Sequence, residues 1–302
     1  SPVVGIIVMI GIAAYEEEGN IENLLEFLIN DSMNYIDEVY VVSSGSKDRT
    51  DDIVSLYSRK NSRINLILED KRNGKVSALN QLLSILENDY DIMVYMGADN
   101  MPEKGSINHL LECIKQDDIM IVGGRPLPLN NTNNMMGFFI HLLWNLHHLT
   151  SLEYPKISGE LMALKKGVIN ELPPIIINDD MFMQIEYEKK GCSVKYCMDA
   201  TVLLQGPETL RDFMTQRKRV FIGHKQIEGL LNWKVPTMRW PKWSQIMKAS
   251  PYKGFIGHFY ATLFVLAQGL AYTLALFDFY RGKLPYKWDM VKTTKKLKKR
   301  MT

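Results

Sequence analysis

Carboxylates and cations gather in a few short polar stretches of this 302-residue chain. Glu16, Glu17 and Glu18 follow Ala14-Tyr15, and Asp99 stands in Gly97-Ala98-Asp99-Asn100. Glu160 closes Ser158-Gly159-Glu160, and Asp179 and Asp180 are adjacent. Lys75 follows Asn73-Gly74, while Arg217 and Arg219 stand in Gln216-Arg217-Lys218-Arg219, upstream of His224. The chemistry open to such groups is limited. A carboxylate can accept from a ligand N–H, take a proton as a general base, or share a hard divalent cation with phosphate oxygens. A Lys meets phosphate as a point charge and an Arg as a planar fork. Each group also has a purely structural use. Glu16–Glu18 suit a helix N-terminus, Asp179 or Asp180 can cap a helix, Arg217 and Arg219 can be a solvated helix face, and His224 can be a packed core histidine.

The elements that must position these residues are readable from periodicity. Short β-rich runs fall at Val3–Ile12, Val39–Ser43, Ile64–Leu68, Ile92–Met96 and Ile119–Gly123. Helix-like stretches lie between them at Asn20–Asn30, Lys47–Arg59, Gly74–Glu87 and Pro102–Lys115. Strands that are continuously apolar and alternate with helices predict a mostly parallel sheet covered on both faces. In such sheets ligands bind at the carboxyl ends of the strands, which is where the polar stretches stand. Beyond Gly123 the alternation breaks. Met135–Leu149, Met181–Lys190 and Glu208–Leu231 read as helices, and Leu161–Lys165, Val194–Cys197 and Thr201–Leu204 as strands. His141, Trp144, His147 and His148 either line an acceptor or membrane edge or pack a core helix, and the apolar spacing of their stretch favours packing.

Composition removes several classes. Hydrophobic residues at 46% and charged residues at 23% exclude disordered, collagenous and coiled-coil chains. The scattered Cys113, Cys192 and Cys197 make neither a disulfide framework nor a zinc site and suit a reducing compartment. There is no G-x-G-x-x-G, no G-x-x-x-x-G-K-[ST] and no G-x-S-x-G, so dinucleotide, P-loop and serine-hydrolase readings lack support. Val3–Ile12 lacks a basic segment before it and a cleavage site after it, and reads as a buried strand rather than a leader.

Charge is divided unevenly. Residues 1–210 carry 17 Lys and Arg against 30 Asp and Glu, whereas residues 211–302 carry 19 against 4. An acidic body with a basic tail argues against nucleic acid and for an anionic lipid surface. Gly254–Phe277 holds no Asp, Glu, Lys or Arg; as a helix it would be about 36 Å long, enough to cross a bilayer core. Trp240, Trp243 and Tyr252 flank it on one side and Tyr280, Tyr286 and Trp288 on the other, like an aromatic belt. A single crossing would export the basic tail from Arg281 to Arg300, against the positive-inside tendency. The expectation is therefore a C-terminal region, residues 233–302, that lies in or dips into the cytoplasmic leaflet, behind a catalytic domain at 1–232.

The strand-end motifs, in their order, resemble those of the family 2 glycosyltransferases. Ala14-Tyr15-Glu16-Glu17-Glu18-Gly19-Asn20-Ile21 resembles A-Y-N-E-E-x-N-I. Val41 to Thr50 resembles V-V-D-D-G-S-x-D-x-T, Lys71 to Asn80 resembles N-x-G-K-x-x-A-x-N, and Gly97-Ala98-Asp99 resembles D-x-D. Asp179-Asp180-Met181-Phe182-Met183 resembles E-D-x-x-L, and Gln216 to Val220 resembles Q-x-x-R-W. The resemblance covers residues 3–225 and implies an α/β GT-A fold. Departures are Glu16 for Asn, Ser43 and Ser44 for an Asp pair, Gly97 for the first Asp of D-x-D, and Val220 for the Trp of processive synthases.

The resemblance implies a nucleotide-sugar donor (a UDP- or GDP-sugar), gripped by Ala14, Tyr15, Glu17, Ser43, Lys75, Gly97, Ala98 and Asp99, with Arg217 and Arg219 on the diphosphate. It implies a divalent metal, Mg²⁺ or Mn²⁺, on Asp99, with His224 or Asn100 as further ligand candidates. It makes Asp180 the general base of an inverting reaction, with Asp179 as cap or alternate, and puts Glu160 near the acceptor. The loss of the Trp at position 220 favours transfer of one sugar over polymer synthesis. The expected acceptor is a lipid or glycan at the cytoplasmic face of a membrane. Two rivals stay open: a polyprenyl-phosphate sugar synthase, and a non-catalytic GT-A-like binding module.

Overall fold

The computed structural model describes residues 5–233, 240–284 and 297. Its first half alternates strand and helix: β1 (Val8–Ala14), α1 (Ile21–Asp31), β2 (Glu38–Ser44), α2 (Thr50–Lys60), β3 (Ile64–Glu69), α3 (Lys75–Asp89) and β4 (Ile92–Gly97). Then come β5 (Asn100–Pro102), α4 (Ser106–Ile114), β6 (Ile119–Pro128), α5 (Met135–Glu153), β7 (Met162–Lys165), α6 (Asp179–Lys189) and β8 (Ser193–Leu204). Three helices follow: α7 (Leu210–Leu231), α8 (Trp243–Ala249) and α9 (Gly254–Tyr280). Tyr286, Trp288 and the basic run from Lys287 to Arg300 lie outside the described residues except for Leu297, as do Val3 and Val4.

The strands form one sheet in the order β3-β2-β1-β4-β7-β6-β8-β5. Strands β3, β2, β1 and β4 are parallel, β7 runs antiparallel between β4 and β6, and β6 pairs parallel with β8. The α/β reading with a mostly parallel sheet is therefore what the chain adopts. Alternation along a strand sends successive side chains to opposite faces. On β1, Val8, Ile10 and Ile12 pack with α1, α2 and α4, through Leu24, Leu28, Val54 and Leu110. Met9 faces the other layer, with Leu79, Leu82 and Leu86 of α3 and Met183 and Ile185 of α6. Both faces of β1 are covered, which is why its sequence is apolar throughout.

Several boundaries differ from the sequence expectation; the first strand, expected over Val3–Ile12, begins at Val8 and runs to Ala14. Asn100–Pro102 pairs antiparallel with Val202–Leu204, so the helix expected from Pro102 begins only at Ser106. The two strands expected at Val194–Cys197 and Thr201–Leu204 are one bent strand, β8, whose register against β6 shifts between Gly123 and Arg125. Gly123 is needed at that bend: a Cβ there would stand 2.6 Å from the Lys156 carbonyl oxygen and the Ile157 Cα. The close approach seats the Pro155–Ser158 stretch on the sheet. Finally, the long apolar run is a helix extending to Tyr280.

The last helices do not stand apart from the sheet domain. Phe138 and Phe139 of α5, Phe213 of α7, Ile246 of α8 and Phe264 of α9 form a third apolar cluster. The buried residues of α9 are Gly257, Ala261, Phe264, Gln268, Ala271 and Ala275, a stripe at helical spacing made mostly of small side chains. That stripe lies against α7, where Gln268 accepts from Arg217 Nε at 3.0 Å and Asp278 pairs with Lys218 at 2.7 Å. The opposite face is apolar and open, with Phe255 86% and Leu266 64% exposed, beside Ile256, Leu270, Phe277 and Tyr280.

Candidate active site

A cavity of about 1280 Å³ opens at the carboxyl ends of β1, β2 and β4 and runs beneath α5, α7 and α9. At the strand tips it is lined by Ala14, Tyr15, Glu17, Lys75, Gly97 and Asp99, then by Glu160, Asp179 and Asp180. Arg217, Arg219 and His224 of α7 complete the wall. Residues from six separate sequence stretches thus meet in one place. Arg217 and Arg219 face this cavity rather than forming a solvated helix face.

The loops at the tips are locked to one another. Glu16 has a left-handed φ of 52°, and its N–H donates to Ser46 Oγ at 3.1 Å. The Glu17 N–H donates to Thr50 Oγ1 at 2.8 Å, and the Glu17 carboxylate accepts from Asn20 Nδ2 at 2.8 Å. The Arg72 guanidinium lies over the Tyr15 ring at 4.2 Å, which fixes both at the cavity mouth. Two expected grip residues do not line the cavity. Ser43 is fully buried, with its hydroxyl on Ser46 at 2.8 Å, and Ala98 is buried beneath the β4 tip. Ser44, the next residue on β2, lines the cavity instead, its hydroxyl donating to Glu69 and accepting from the Asn73 N–H.

Gly97 is accounted for by space. A Cβ at that position would stand 2.6 Å from Asp99 Oδ1 and 3.1 Å from Asn100 Nδ2. The Asp99 side chain folds across the place where a first acidic residue would stand. Glu160 hydrogen-bonds Asn100, and burial, followed by the Asp99 charge, pushes its carboxyl up to about 7. Two carboxyls that oppose each other's ionisation are what a divalent cation relieves. Among the described residues no group of three or more His, Cys, Asp or Glu is placed to hold a metal unaided. A Mg²⁺-like ion carried by one or two carboxylates, waters and substrate phosphates needs no such group, so Asp99 and Glu160 fit that role. His224 is placed differently. Burial, then the charges of Lys156 and Arg217, push it down to about 3, so its surroundings are cationic.

Lys75 Nζ pairs with Asp179 at 2.8 Å. Burial works against its charge, but Asp179 beside it, with Tyr95 and Asp180, holds the ammonium above its ordinary value. Burial, with the neighbouring Asp180, holds the Asp179 carboxyl above its ordinary value while Lys75 pulls it back. Asp180 accepts from the Gly159 N–H at 3.2 Å and the Met181 N–H at 2.7 Å. A carboxylate offers about four lone-pair sites, so Asp180 keeps acceptor capacity toward the cavity. Neither Asp is the cap residue: both lie in the first turn of α6, and the cap position is Asn178. Arg219 feels Asp179, Asp180 and Glu160; burial drops it to about 9 against their pull.

Several cavity residues were not singled out from sequence: Ser44, Arg72, Tyr95, Lys156, Gln205 and Gln268. Tyr95 Oη, Ser158 Oγ, Gln205 Oε1 and both ring nitrogens of His147 line this cavity, buried and without a hydrogen-bond partner among the described residues. Buried polar groups are ordinarily paired, so such a row marks a place for a polar ligand. Tyr95 and Gln205 carry no sequence signal, since each lies at or beside an apolar strand, whereas His147 and Ser158 stand in stretches that the sequence already marks. Of the α5 aromatics, Trp144 and His147 line the cavity, whereas His141 bonds the Asn130 carbonyl at 2.8 Å and His148 the Tyr196 hydroxyl at 2.9 Å.

Comparison with known proteins agrees with this geometry. The profile described as "Glycosyl transferase family 2" matches residues 9–162. The "Probable glycosyltransferase YdaM" of Bacillus subtilis (strain 168) is 25% identical over 240 residues, 72% of this chain and 54% of that protein; the chain thus spans about half the length of that relative. A Pyrobaculum calidifontis mannosyltransferase, PcManGT, solved with GDP-Man and Mn²⁺, superposes with a TM-score of 0.58 at 20% identity, covering 91% of this chain and 79% of its own. Glucosyl-3-phosphoglycerate synthase from Mycobacterium tuberculosis, solved with Mn²⁺ and UDP-glucose, gives 0.54 at 16% identity, covering 74% and 80%. These two likenesses establish the GT-A fold.

Proposed function

The chain belongs to glycosyl transferase family 2, and on that premise we propose that it transfers a single sugar from a nucleotide-sugar, with inversion, to an acceptor at a membrane surface. The observation that carries the reading is the convergence of Lys75, Asp99, Glu160, Asp180 and Arg219 on one cavity. Ala14, Tyr15, Glu17 and Ser44 form the nucleotide end, where small side chains let a base approach the backbone and Glu17 accepts from it. Asp99, with Glu160, would hold a divalent metal, Mg²⁺ or Mn²⁺, which when bound neutralises charge growing on the leaving diphosphate. Lys75 and Arg219 add fixed positive charge to the same region. Asp180 takes the proton of the acceptor hydroxyl as that oxygen attacks the anomeric carbon in line. The bond to the diphosphate breaks on the opposite side, which inverts the centre.

Membrane attachment rests on α9. It is the one described helix long and apolar enough to cross a bilayer, yet one face is committed to α7 through Gln268 and Asp278. The free face, from Phe255 to Tyr280, favours lying in the leaflet over crossing it. We place this face on the cytoplasmic leaflet, so that the cavity opens to a water-soluble nucleotide-sugar on that side.

Nucleotide binding and sugar transfer measured with UDP- and GDP-sugars, in Mn²⁺ and in EDTA, test the enzyme reading. Asp99→Ala should weaken binding about tenfold or more, about 1.4 kcal/mol, in Mn²⁺ and change little in EDTA. Equal loss in both conditions would make Asp99 structural, and binding without turnover of any nucleotide-sugar would leave a binding module instead. For the membrane, flotation with phosphatidylglycerol vesicles should lose the protein when Leu266, Leu270 and Phe277 are all changed to Glu; unaltered flotation refutes the α9 assignment.

A further inference from the structure

The stretch between α5 and β7 carries Lys156, Ser158 and Glu160 to the cavity wall, yet it has no helix or strand of its own. Its buried backbone groups must find partners elsewhere, and they find them on α6. The Pro155 carbonyl accepts from Gln184 Nε2 at 2.9 Å, and the Ile157 N–H donates to Gln184 Oε1 at 3.1 Å. The Gly159 N–H donates to Asp180 at 3.2 Å. One turn beyond Gln184, Glu188 accepts from Gln184 Nε2 at 2.8 Å and from the Tyr154 hydroxyl at 2.6 Å.

Asp180, Gln184 and Glu188 stand four residues apart and so share one face of α6. Four residues of helix rise about 6 Å, close to the roughly 6.6 Å that two residues of extended chain cover. Each turn of α6 can therefore meet every second residue of the linker. Residues 155, 157 and 159 give their backbone to the helix, and the residues between and after them are Lys156, Ser158 and Glu160. The linker's other contacts are close ones. A Cβ on Gly159 would stand 2.5 Å from Lys75 Nζ, and Gly123 of β6 leaves room for the Lys156 carbonyl. Gln184 is the middle contact of the three. It is fully buried beside Met183, Ile185 and Tyr187 of the core. Its oxygen and both amide hydrogens are committed, a combination that neither a carboxylate nor an apolar side chain can reproduce. Apolar neighbours tolerate a slide of the linker, whereas a slipped buried amide leaves polar groups unmatched on both partners.

We propose that Gln184 is a positioning residue for sugar transfer: it sets the register of the 154–160 linker on α6, and so fixes Glu160 relative to Asp180 at the head of the same helix. Neither Gln184 nor Glu188 lines the cavity, so any effect on the reaction passes through the linker. The effect on transfer rests on the glycosyltransferase reading; the register stands on the hydrogen bonds themselves.

The first readout is independent of the reaction. Introduced thiols in the full chain are modified with methyl methanethiosulfonate and followed on their own peptide by mass spectrometry, apart from Cys113, Cys192 and Cys197. Lys156→Cys, on the cavity, should react at least about tenfold faster than Ile157→Cys, in the core. Adding Gln184→Glu, which cannot donate to the Pro155 carbonyl and opposes Glu188, should bring the two rates within about threefold. Adding Glu188→Gln as well supplies a donor to the new carboxylate and should restore most of the difference. Equal rates without the Gln184 change, or a ratio that Gln184→Glu leaves unaltered, overturn the proposal. The second readout is transfer, at a temperature where circular dichroism shows each variant folded. Gln184→Glu should lower kcat about 10- to 100-fold, while donor KM, set at the nucleotide end, changes less than about threefold. The Gln184→Glu/Glu188→Gln pair should recover most of the loss. A lowered Tm with kcat intact would make Gln184 structural only and overturn the proposal. Gln184→Met serves the same comparisons should Gln184→Glu not fold. If the wild-type chain transfers no sugar from a UDP- or GDP-sugar, the glycosyltransferase reading fails, and the thiol rates alone decide the register.

Discussion

The two ends of the cavity are built on opposite electrostatic plans. At the strand tips most strong charges are tied to a neighbour: Lys75 sits on Asp179, Asp180 accepts two backbone N–H groups, and Glu160 is bonded to Asn100, while Asp99 and Glu160 oppose each other. At the helix end, Lys156 and Arg217 make no ion pair among the described residues, although the charge of Asp180 reaches Lys156, and Ser158 and His147 carry orphaned polar atoms. The first plan rigidifies a site in its empty state, while the second stores unfavourable charge that a ligand can relieve. The comparison teaches that a preorganised donor end and a ligand-completed far end can share one wall, with Asp180 at the junction.

Removing the cation of the matched end should have the largest effect. Lys75→Met leaves Asp179 buried and unpaired, so unfolding free energy should fall by about 3–5 kcal/mol, read by urea denaturation. A change below about 1 kcal/mol would break the contrast with Lys156, whose removal is expected to stabilise. Next is the junction itself. Asp180→Asn should keep nucleotide binding and lose transfer by about 10²-fold or more, and near-normal transfer by the variant would remove Asp180 as the base.

A smaller effect tests whether α9 belongs to the cavity wall. Gln268→Leu removes the acceptor of Arg217 and leaves its Nε–H unsatisfied, which should cost about 1–3 kcal/mol. If thermal stability is unmoved, α9 is only loosely attached and the helix end loses its wall. The smallest effect concerns the outer pair on the same two helices. Hydrogen bonding to Lys218 holds the Asp278 carboxyl below its ordinary value, against burial. A depressed carboxyl contributes stability above its unfolded pKa, and that contribution disappears as pH falls through its folded pKa. The difference in Tm between wild type and Asp278→Asn should therefore correspond to about 0.2–1 kcal/mol near neutrality and fade below about pH 4. A difference that does not shrink at all as pH falls below about 4 would assign the effect to packing.

Much of the donor end could be read from the chain because its residues sit where the local pattern changes. Asp99 follows an apolar strand, Lys75 opens a helix after Asn73-Gly74, and Asp179-Asp180 precede a helical run, so periodicity places each at an element boundary. The exceptions follow from side-chain direction. Ser43 and Ser44 are indistinguishable as letters, but alternation along β2 puts only the second on the cavity. Gly97 reads as a missing ligand in sequence, whereas in space it is the room that the Asp99 carboxylate occupies.

The sequence alone determined the alternating α/β body, the order of the strand-tip motifs and the unusual apolar run at Gly254–Phe277, because these depend on local hydrophobic period and residue type. Tertiary structure alone decided that α9 packs small residues on α7 and lends Gln268 to Arg217. It alone brought Lys156, His147 and Ser158 into the same cavity as Asp180, and left polar atoms of His147 and Ser158 without a partner among the described residues. Those relations join residues as far apart as Arg217 and Gln268 through shape complementarity between helices, and no spacing along the chain encodes which faces will meet.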